Sequence, residues 1–468
     1  MLCCLLQQAG AKVTLPSLIA DNMVLQQQAE VKLWGHARPR AEVSVKASWH
    51  DRTLTTKADK EGRWSLHLPT PQGGYATHEI SLSDGDGPAT VVKNVLVGEV
   101  WLASGQSNME MPLKGFGGCC VQDGMAEALT SGSVKGVRMF TVPKRQSYTP
   151  LEENDGSWKL PSPQDTPDFS ATAWFFARYV SEALQMPVGI VNCSYGGTRV
   201  ESWTSRELLE TYPDVSLHPD TIAAMTEYHR PMLMYNGMLK SVQNYTIKGI
   251  IWYQGCSNVG AHTTYAQRLA NMVDLWRKEW GLGQLPFYFT EIAPYDYGSG
   301  DYASGARLRE AQLKAESLIP ASAMAGTNDL AEPFERYNIH PRNKRTVGLR
   351  LAFLALNLTY GMKHICCFGP RYKSMTVKGS EAWVAFSHLD MGICRNYGLK
   401  GFEVAGEDRK FHPADNVWLH WQTNEMVISS KAVPHPVAVR YCFRDFQPGT
   451  MIGGNELPTT PFRTDDWE

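Results

Sequence analysis

The chain has 468 residues, 43% of them hydrophobic and 20% charged, with a formal net charge of -2. That length exceeds the roughly 250–300 residues over which one hydrophobic core keeps growing, so two or three domains are expected. A charge this close to neutral gives no electrostatic footing for nucleic acid or an anionic membrane, and no apolar run approaches the roughly 20 residues that span a bilayer.

In chain order, residues 1–11 carry a Leu/Cys run followed by Ala9-Gly10-Ala11. This reads as the remnant of an export signal, short and without a basic start, and points to a secreted or periplasmic protein. Residues 12–95 are expected to form a β-sandwich. Short runs such as Val31 to Trp34 and Trp64 to Leu68 are separated by turn chemistry such as Asp59-Lys60-Glu61-Gly62, the pattern of strands at about 8–12-residue spacing. Val13 to Leu25 is read as the first of these strands. From 96 to 361, apolar runs alternate with helical patterns. Val95–Ala103, Val188–Val191, Gly249–Tyr253 and Pro286–Phe289 read as strands, and Trp174–Leu184, Leu269–Trp276 and Val347–Leu358 as helices. Alternation of this kind predicts an α/β domain with a mostly parallel sheet. Residues 362–468 lose the helical period and read as a second β domain.

The ten cysteines include three adjacent pairs, at 3–4, 119–120 and 366–367, and no C-x-x-C. That spacing argues against zinc or thioredoxin-like chemistry, and neighbouring cysteines do not easily bond each other. Buried free thiols are the expectation for most of them.

Parallel open sheets place their sites in the loops after the strands, and four such loops carry chemistry. Ser104-Gly105-Gln106-Ser107-Asn108 sets a Ser between a Gly turn and a helix start, where a hydroxyl nucleophile and a backbone N–H for an oxyanion come together; Ser as a plain helix cap is the bland alternative. Tyr195-Gly196-Gly197-Thr198-Arg199 offers backbone that a ligand can approach closely. Its Arg199 pins substrate or pairs with Glu201. Gln254-Gly255-Cys256-Ser257-Asn258 places amides at a strand end, suited to an oxyanion or to turn capping. Asn338-Ile339-His340-Pro341 brings an imidazole, the side chain suited to taking a proton and returning it, although a lone His before a helix is more often structural. Each loop alone is ambiguous; together they supply nucleophile, donors and base on one sheet edge.

The order Ser107, Gly196, Asn258, His340 resembles the SGNH hydrolase superfamily. Gly105-Gln106-Ser107-Asn108-Met109, Gly196-Gly197-Thr198, Trp252-Tyr253-Gln254-Gly255-x-Ser257-Asn258 and Ile339-His340-Pro341-Arg342-Asn343-Lys344 are similar to the sialate O-acetylesterase family, as are Asp21 to Gln26 and Pro461 to Trp467. The resemblance implies a flavodoxin-like SGNH core between the two β domains and hydrolysis of O-acetyl esters on sialic acid, a sialoglycan or the free sugar. Acetylxylan and other carbohydrate acetylesterases share the core motifs. It assigns Ser107 as nucleophile and His340 as base. The Ser107 N–H, Gly196 or Gly197, and Asn258 become oxyanion donors, with Gln106, Arg199 and Gln254 as substrate contacts. No metal or organic cofactor is required.

One departure stands out. Cys256 occupies the position where the family writes Glu, and Tyr337 stands three residues before His340, where many SGNH enzymes keep Asp. Asp329 is the expected replacement as orienter of His340, with Glu335 or a backbone carbonyl as alternatives. Two rival readings accompany this one: a non-catalytic carbohydrate-binding descendant of an esterase, and a thiol hydrolase using Cys256.

Overall fold

The structure, a computed structural model, describes residues 13–389, 391–394, 396 and 398–467. The signal reading of residues 1–11 lies outside them.

The N-terminal strands are β1 (Val24–Gln26), β2 (Glu30–His36), β3 (Glu42–Ala47), β4 (Leu54–Lys57), β5 (Arg63–Pro69), β6 (Gly74–Ser83) and β7 (Thr90–Gly105). Val31 and Leu33 of β2 are buried while Lys32 and Trp34 between and beyond them are half-buried, the alternation of a strand with one face on a core. β2 pairs with β5, and β3 joins β4 and β6 in a second sheet that runs on through β7. The strand read over 13–25 shrinks to β1 and a bridge from Thr14 to His36. Pro16 and the left-handed Asn22 (φ 71°) break the rest into turns.

β7 is 16 residues long and belongs to two layers. Its first part pairs with β6 and β1, and Glu99 to Gly105 pairs with the core strands. The boundary expected at 95–96 therefore falls inside one continuous strand.

The core adds β8 (Val137–Thr141), β9 (Trp158–Lys159), β10 (Val188–Ser194), β11 (Gly249–Tyr253), β12 (Phe287–Thr290) and β13 (Ser322–Ala325). The order is β13-β12-β11-β7-β10-β8-β9, parallel from β13 to β8, with β9 antiparallel at the edge. Alternate residues feed the two faces. Trp101, Ala103, Ile251 and Tyr253 pack with the helices Ala171–Leu184 and Lys344–Leu354. Val100, Leu102, Ile250 and Trp252 pack with His262–Trp280 and Ser304–Leu318. The helix read over 347–358 starts three residues early, because the Asn343 side chain caps it by accepting from the Thr346 N–H at 3.0 Å, and it loosens into a π turn over Ala355–Thr359.

Beyond this core, Arg371–Lys378, Glu381–Ser387, Glu425–Ser429 and Asn416–His420 form one antiparallel sheet. Phe411–Pro413, Phe402–Ala405, Ala438–Tyr441 and Phe462–Arg463 form another, with Val384, Val404, Ile428 and Tyr441 buried in their common core. The described cysteines are all free thiols, and Cys193, Cys256 and Cys442 are buried.

Candidate active site

Strand β7 sits where the order reverses, with β10 on one side and β11 on the other, the position at which open α/β sheets bind ligands. Register puts Gly105 opposite both Ser194 and Tyr253. Three loops therefore leave the sheet at one height. Gly105 has φ 134°, and a Cβ there would stand 2.3 Å from the Tyr253 carbonyl oxygen, so only Gly lets β7 turn so close to β11. The chain passes at once into the short helix Ser107–Glu110.

Ser107 and His340 are half-buried, and the Ser107 Oγ lies 2.8 Å from His340 Nε2. The imidazole comes from the loop before the helix Lys344–Leu354. Its backbone N–H donates to Asn338 Oδ1 at 3.0 Å, and the Phe116 ring packs against it in a T-shaped pair. Burial, with a smaller contribution from the Lys344 charge, pushes the His340 pKa down to about 4, so the ring is a neutral base at pH 7. Among the described residues no carboxylate is hydrogen-bonded to the other ring nitrogen.

Both acids expected there are committed elsewhere. Asp329 takes Arg350 in a two-pronged pair, at 2.7 and 2.6 Å. Arg350 is itself buried, and its fork matches the carboxylate, so Asp329 is corrected from orienter to the partner of a buried guanidinium. Glu335 accepts from the N–H groups of Glu332 (2.9 Å) and Arg342 (2.8 Å), tying down the loop that carries His340 without touching the ring.

The amides are also redistributed. Asn258 is buried; its Nδ2 donates to Glu201 at 3.0 Å and its Oδ1 accepts from Val200 N–H and Gln254 Nε2. Gln254, with no exposed surface, spends its Nε2 on Thr198 O and Asn258, and its Oε1 accepts from Tyr265. Gln254 thus has no amide hydrogen to spare, while Asn258 keeps one N–H beyond its bond to Glu201. Both are struts that lock the 195–201 loop to the 254–258 loop, because a buried amide without partners costs about 1–3 kcal/mol. Glu201 is held further by Arg268 at 2.7 Å, which leaves Arg199 exposed, its side chain bonded among the described residues only through Nε to Ser257 O. Gln106 accepts from Gly255 N–H at 2.8 Å through Oε1; its Nε2 has no partner among the described residues.

For an oxyanion, the Ser107 and Gly197 N–H groups are unpartnered among the described residues. Gly196 N–H instead donates to Glu110 Oε2 at 2.6 Å. Gly197 (φ 76°) must be Gly, since a Cβ would strike the Tyr228 ring at 2.5 Å. Around this spot the Lys144 ammonium pairs with Glu110 Oε1 at 2.6 Å and lies over the Tyr195 ring, while the Tyr195 hydroxyl and the Gln146 amide both reach Glu227. Sequence reasoning missed Glu110, Lys144 and Phe116; no local pattern marks them, and only the fold assembles them. The Cys256 thiol is buried, and burial raises its pKa, so it is not the thiolate a nucleophile requires.

Comparison with known proteins identifies the family of the chain. The family model for carbohydrate esterases described as sialic acid-specific acetylesterase matches residues 97–357. A sialate O-acetylesterase of Mus musculus is 29% identical, with 97% of this chain and 95% of the relative covered. That of Homo sapiens is 28% identical over 85% and 81%. A solved carbohydrate acetylesterase from Xanthomonas citri aligns with TM-score 0.86 and 33% identity over 97% of this chain and 100% of its own.

Proposed function

The chain belongs to the sialic acid-specific acetylesterase family of carbohydrate esterases, and from that premise we propose that it hydrolyses O-acetyl esters of sialic acids through an acetyl-enzyme on Ser107. The observation that carries the mechanism is the 2.8 Å contact between Ser107 Oγ and His340 Nε2 at the sheet's switch point.

His340 Nε2 accepts the proton of Ser107 Oγ as that oxygen bonds to the acetyl carbonyl carbon. Negative charge moves to the carbonyl oxygen, where the N–H groups of Ser107 and Gly197 receive it; preorganised donors of this kind supply much of the rate in acyl transfer. The bond to the sugar oxygen then breaks and His340 returns the proton to that oxygen, freeing the hydroxyl. Water, deprotonated by His340, attacks the acetyl carbon, the Ser107 ester bond breaks, Ser107 Oγ takes the proton back and acetate leaves. None of these steps calls for a metal or organic cofactor.

Sialic acid is favoured over other acetylated sugars by the family model and by the names of the sequence relatives. Lys144, paired with Glu110, and the exposed Arg199 are the rim cations that an anionic sugar would meet, beside the acids Glu110 and Glu227. The reading of residues 1–11 adds a secreted or periplasmic location; no helix among the described residues is long and apolar enough to cross a membrane. The test is acetate release from O-acetylated sialic acids, acetylxylan and p-nitrophenyl acetate, with Ser107→Ala as control. Hydrolysis of the sialates, lost in the variant, is expected. Exclusive turnover of acetylxylan would move the assignment to a polysaccharide acetylesterase. No turnover of any ester would leave a carbohydrate-binding protein.

A further inference from the structure

Lys344 begins the helix Lys344–Leu354 and is 1% exposed. Both facts run against its chemistry. A cation opposes the positive end of the helix dipole, and a buried ammonium needs partners to offset its lost hydration. Those partners are on the catalytic loops. Lys344 Nζ donates to Asn108 Oδ1 at 2.6 Å and to the Pro341 carbonyl oxygen at 2.7 Å. Asn108, also fully buried, donates its Nδ2 to the Ile339 carbonyl oxygen at 3.0 Å. The two residues flanking His340 are thus fastened, one directly and one through Lys344, to the residue that follows Ser107.

We propose that Lys344 and Asn108 are positioning residues, a clasp that fixes His340 against Ser107 and does the orienting work for which no carboxylate is present among the described residues. The proposal rests on the reading of Ser107 and His340 as the acyl-transfer pair. Geometric tolerance is narrow in such pairs: a displacement of about 1 Å costs on the order of 100-fold in rate. Carboxylate orienters hold the ring through its far nitrogen. Here the backbone on both sides of the ring is held instead, together with the bond from His340 N–H to Asn338.

The groups facing the Lys344 ammonium are Asn108, the Pro341 carbonyl, the Tyr253 ring, the Cys256 and Cys119 thiols, Glu335 and His340. Glu335, the one carboxylate among them, has both oxygens on backbone N–H groups. Burial pushes the Lys344 pKa down to about 7, and the neutral amine still has hydrogens for both oxygens, so the clasp persists on either side of neutrality. The charge has a second consequence. It opposes the imidazolium form of His340 at acid pH, which gives the clasp a signature that simple structural support lacks.

The experiment follows the rate of Ser107 labelling by a fluorophosphonate, which reads nucleophile activation without sugar binding, from pH 4 to 9. It compares the full chain with Lys344→Met, Lys344→Arg, Asn108→Ala and the double variant Asn108→Ala/Lys344→Met. Expected at pH 8 are losses of roughly 10- to 100-fold in Lys344→Met and in Asn108→Ala. The double variant should be no slower than about the slower single, since members of one unit are not additive. In Lys344→Met the acid limb should also move upward in pH, toward the ordinary histidine value, while Lys344→Arg and Asn108→Ala keep it low. Labelling within twofold of the parent in both single variants would overturn the clasp, as would losses that multiply in the double variant. If Lys344→Met does not melt cooperatively, Asn108→Ala with Lys344→Arg decides: loss in the first with retained rate and limb in the second supports the clasp, and an unimpaired Asn108→Ala overturns it. A parent chain unlabelled at Ser107 would remove the acyl-transfer reading itself, a result distinct from equal labelling of all variants.

Discussion

Asp329 and Arg350 form a two-pronged ion pair, with oxygen–nitrogen distances of 2.7 and 2.6 Å, that ties the loop after β13 to the helix Lys344–Leu354. The relationship is architectural. Asp329→Ala leaves a buried guanidinium unpaired, and breaking such a pair costs about 3 kcal/mol or more. Denaturant unfolding should register that loss, while kcat of the folded variant stays within a few-fold of the parent. A drop in kcat of on the order of 100-fold at unchanged stability would return Asp329 to a catalytic role.

Ser107→Ala removes the nucleophile of the proposed acetyl-enzyme. Because the members of such a pair act as a unit, kcat should fall by roughly 1000-fold or more. Steady-state acetate release measures it, and mass spectrometry of the fluorophosphonate adduct locates the labelled peptide.

The pH profile follows from the depressed basicity of His340. Neutral imidazole is the active form, so kcat/KM falls as pH drops through the free-enzyme pKa, which burial and Lys344 push down to about 4. The acid limb should therefore lie well below the ordinary histidine value of about 6.5. A limb at or above that value would mean that the ring is better solvated, or better paired, than this geometry allows.

Asn258→Ala should act on stability first. Its amide joins Glu201, Val200 and Gln254, and leaving those buried groups unpaired costs about 1–3 kcal/mol. Lowered thermal stability with a correspondingly loosened Gly196-Gly197 loop is expected. Full stability combined with a loss of on the order of 100-fold in kcat would mark a direct oxyanion donor instead.

Lys144→Ala tests the charged rim. The ammonium is half exposed beside Glu110, so its loss should raise KM for acetylated sialic acids several-fold and leave KM for neutral p-nitrophenyl acetate unchanged. Equal effects on both esters would place Lys144 outside sugar recognition.

Much of this was readable from residue order. Strands β7, β10, β11 and β12 declare themselves as apolar runs followed by Gly or polar turns, and Ser107 and His340 stand where such runs end or a helix begins. What could not be read was the allocation of partners. Asp329, Glu335 and Asn258 each have the right functional group near the right loop, yet their carboxylates and amide are claimed by Arg350, by backbone N–H groups and by Glu201. Those competitors lie from 3 to 57 positions away along the chain, and nothing in the spacing ranks them against His340. Lys344 is the converse case. A lysine at a helix start looks like a solvated surface charge, and only the packing of two helices and a loop over it reveals a buried one.

The length of β7 has a consequence for how the molecule comes apart. The ribbon that ends at the Ser107 turn begins 17 residues earlier in another layer, at Thr90. Excision of the first 95 residues would strip Thr90 to Val95, most of the stretch that pairs with β6, and would leave Leu96, Val97 and Gly98 without their β1 partners. The N-terminal layer is thus no detachable appendage. Its melting is therefore expected to take the nucleophile turn with it, so that catalytic competence vanishes in step with the loss of the first sheet.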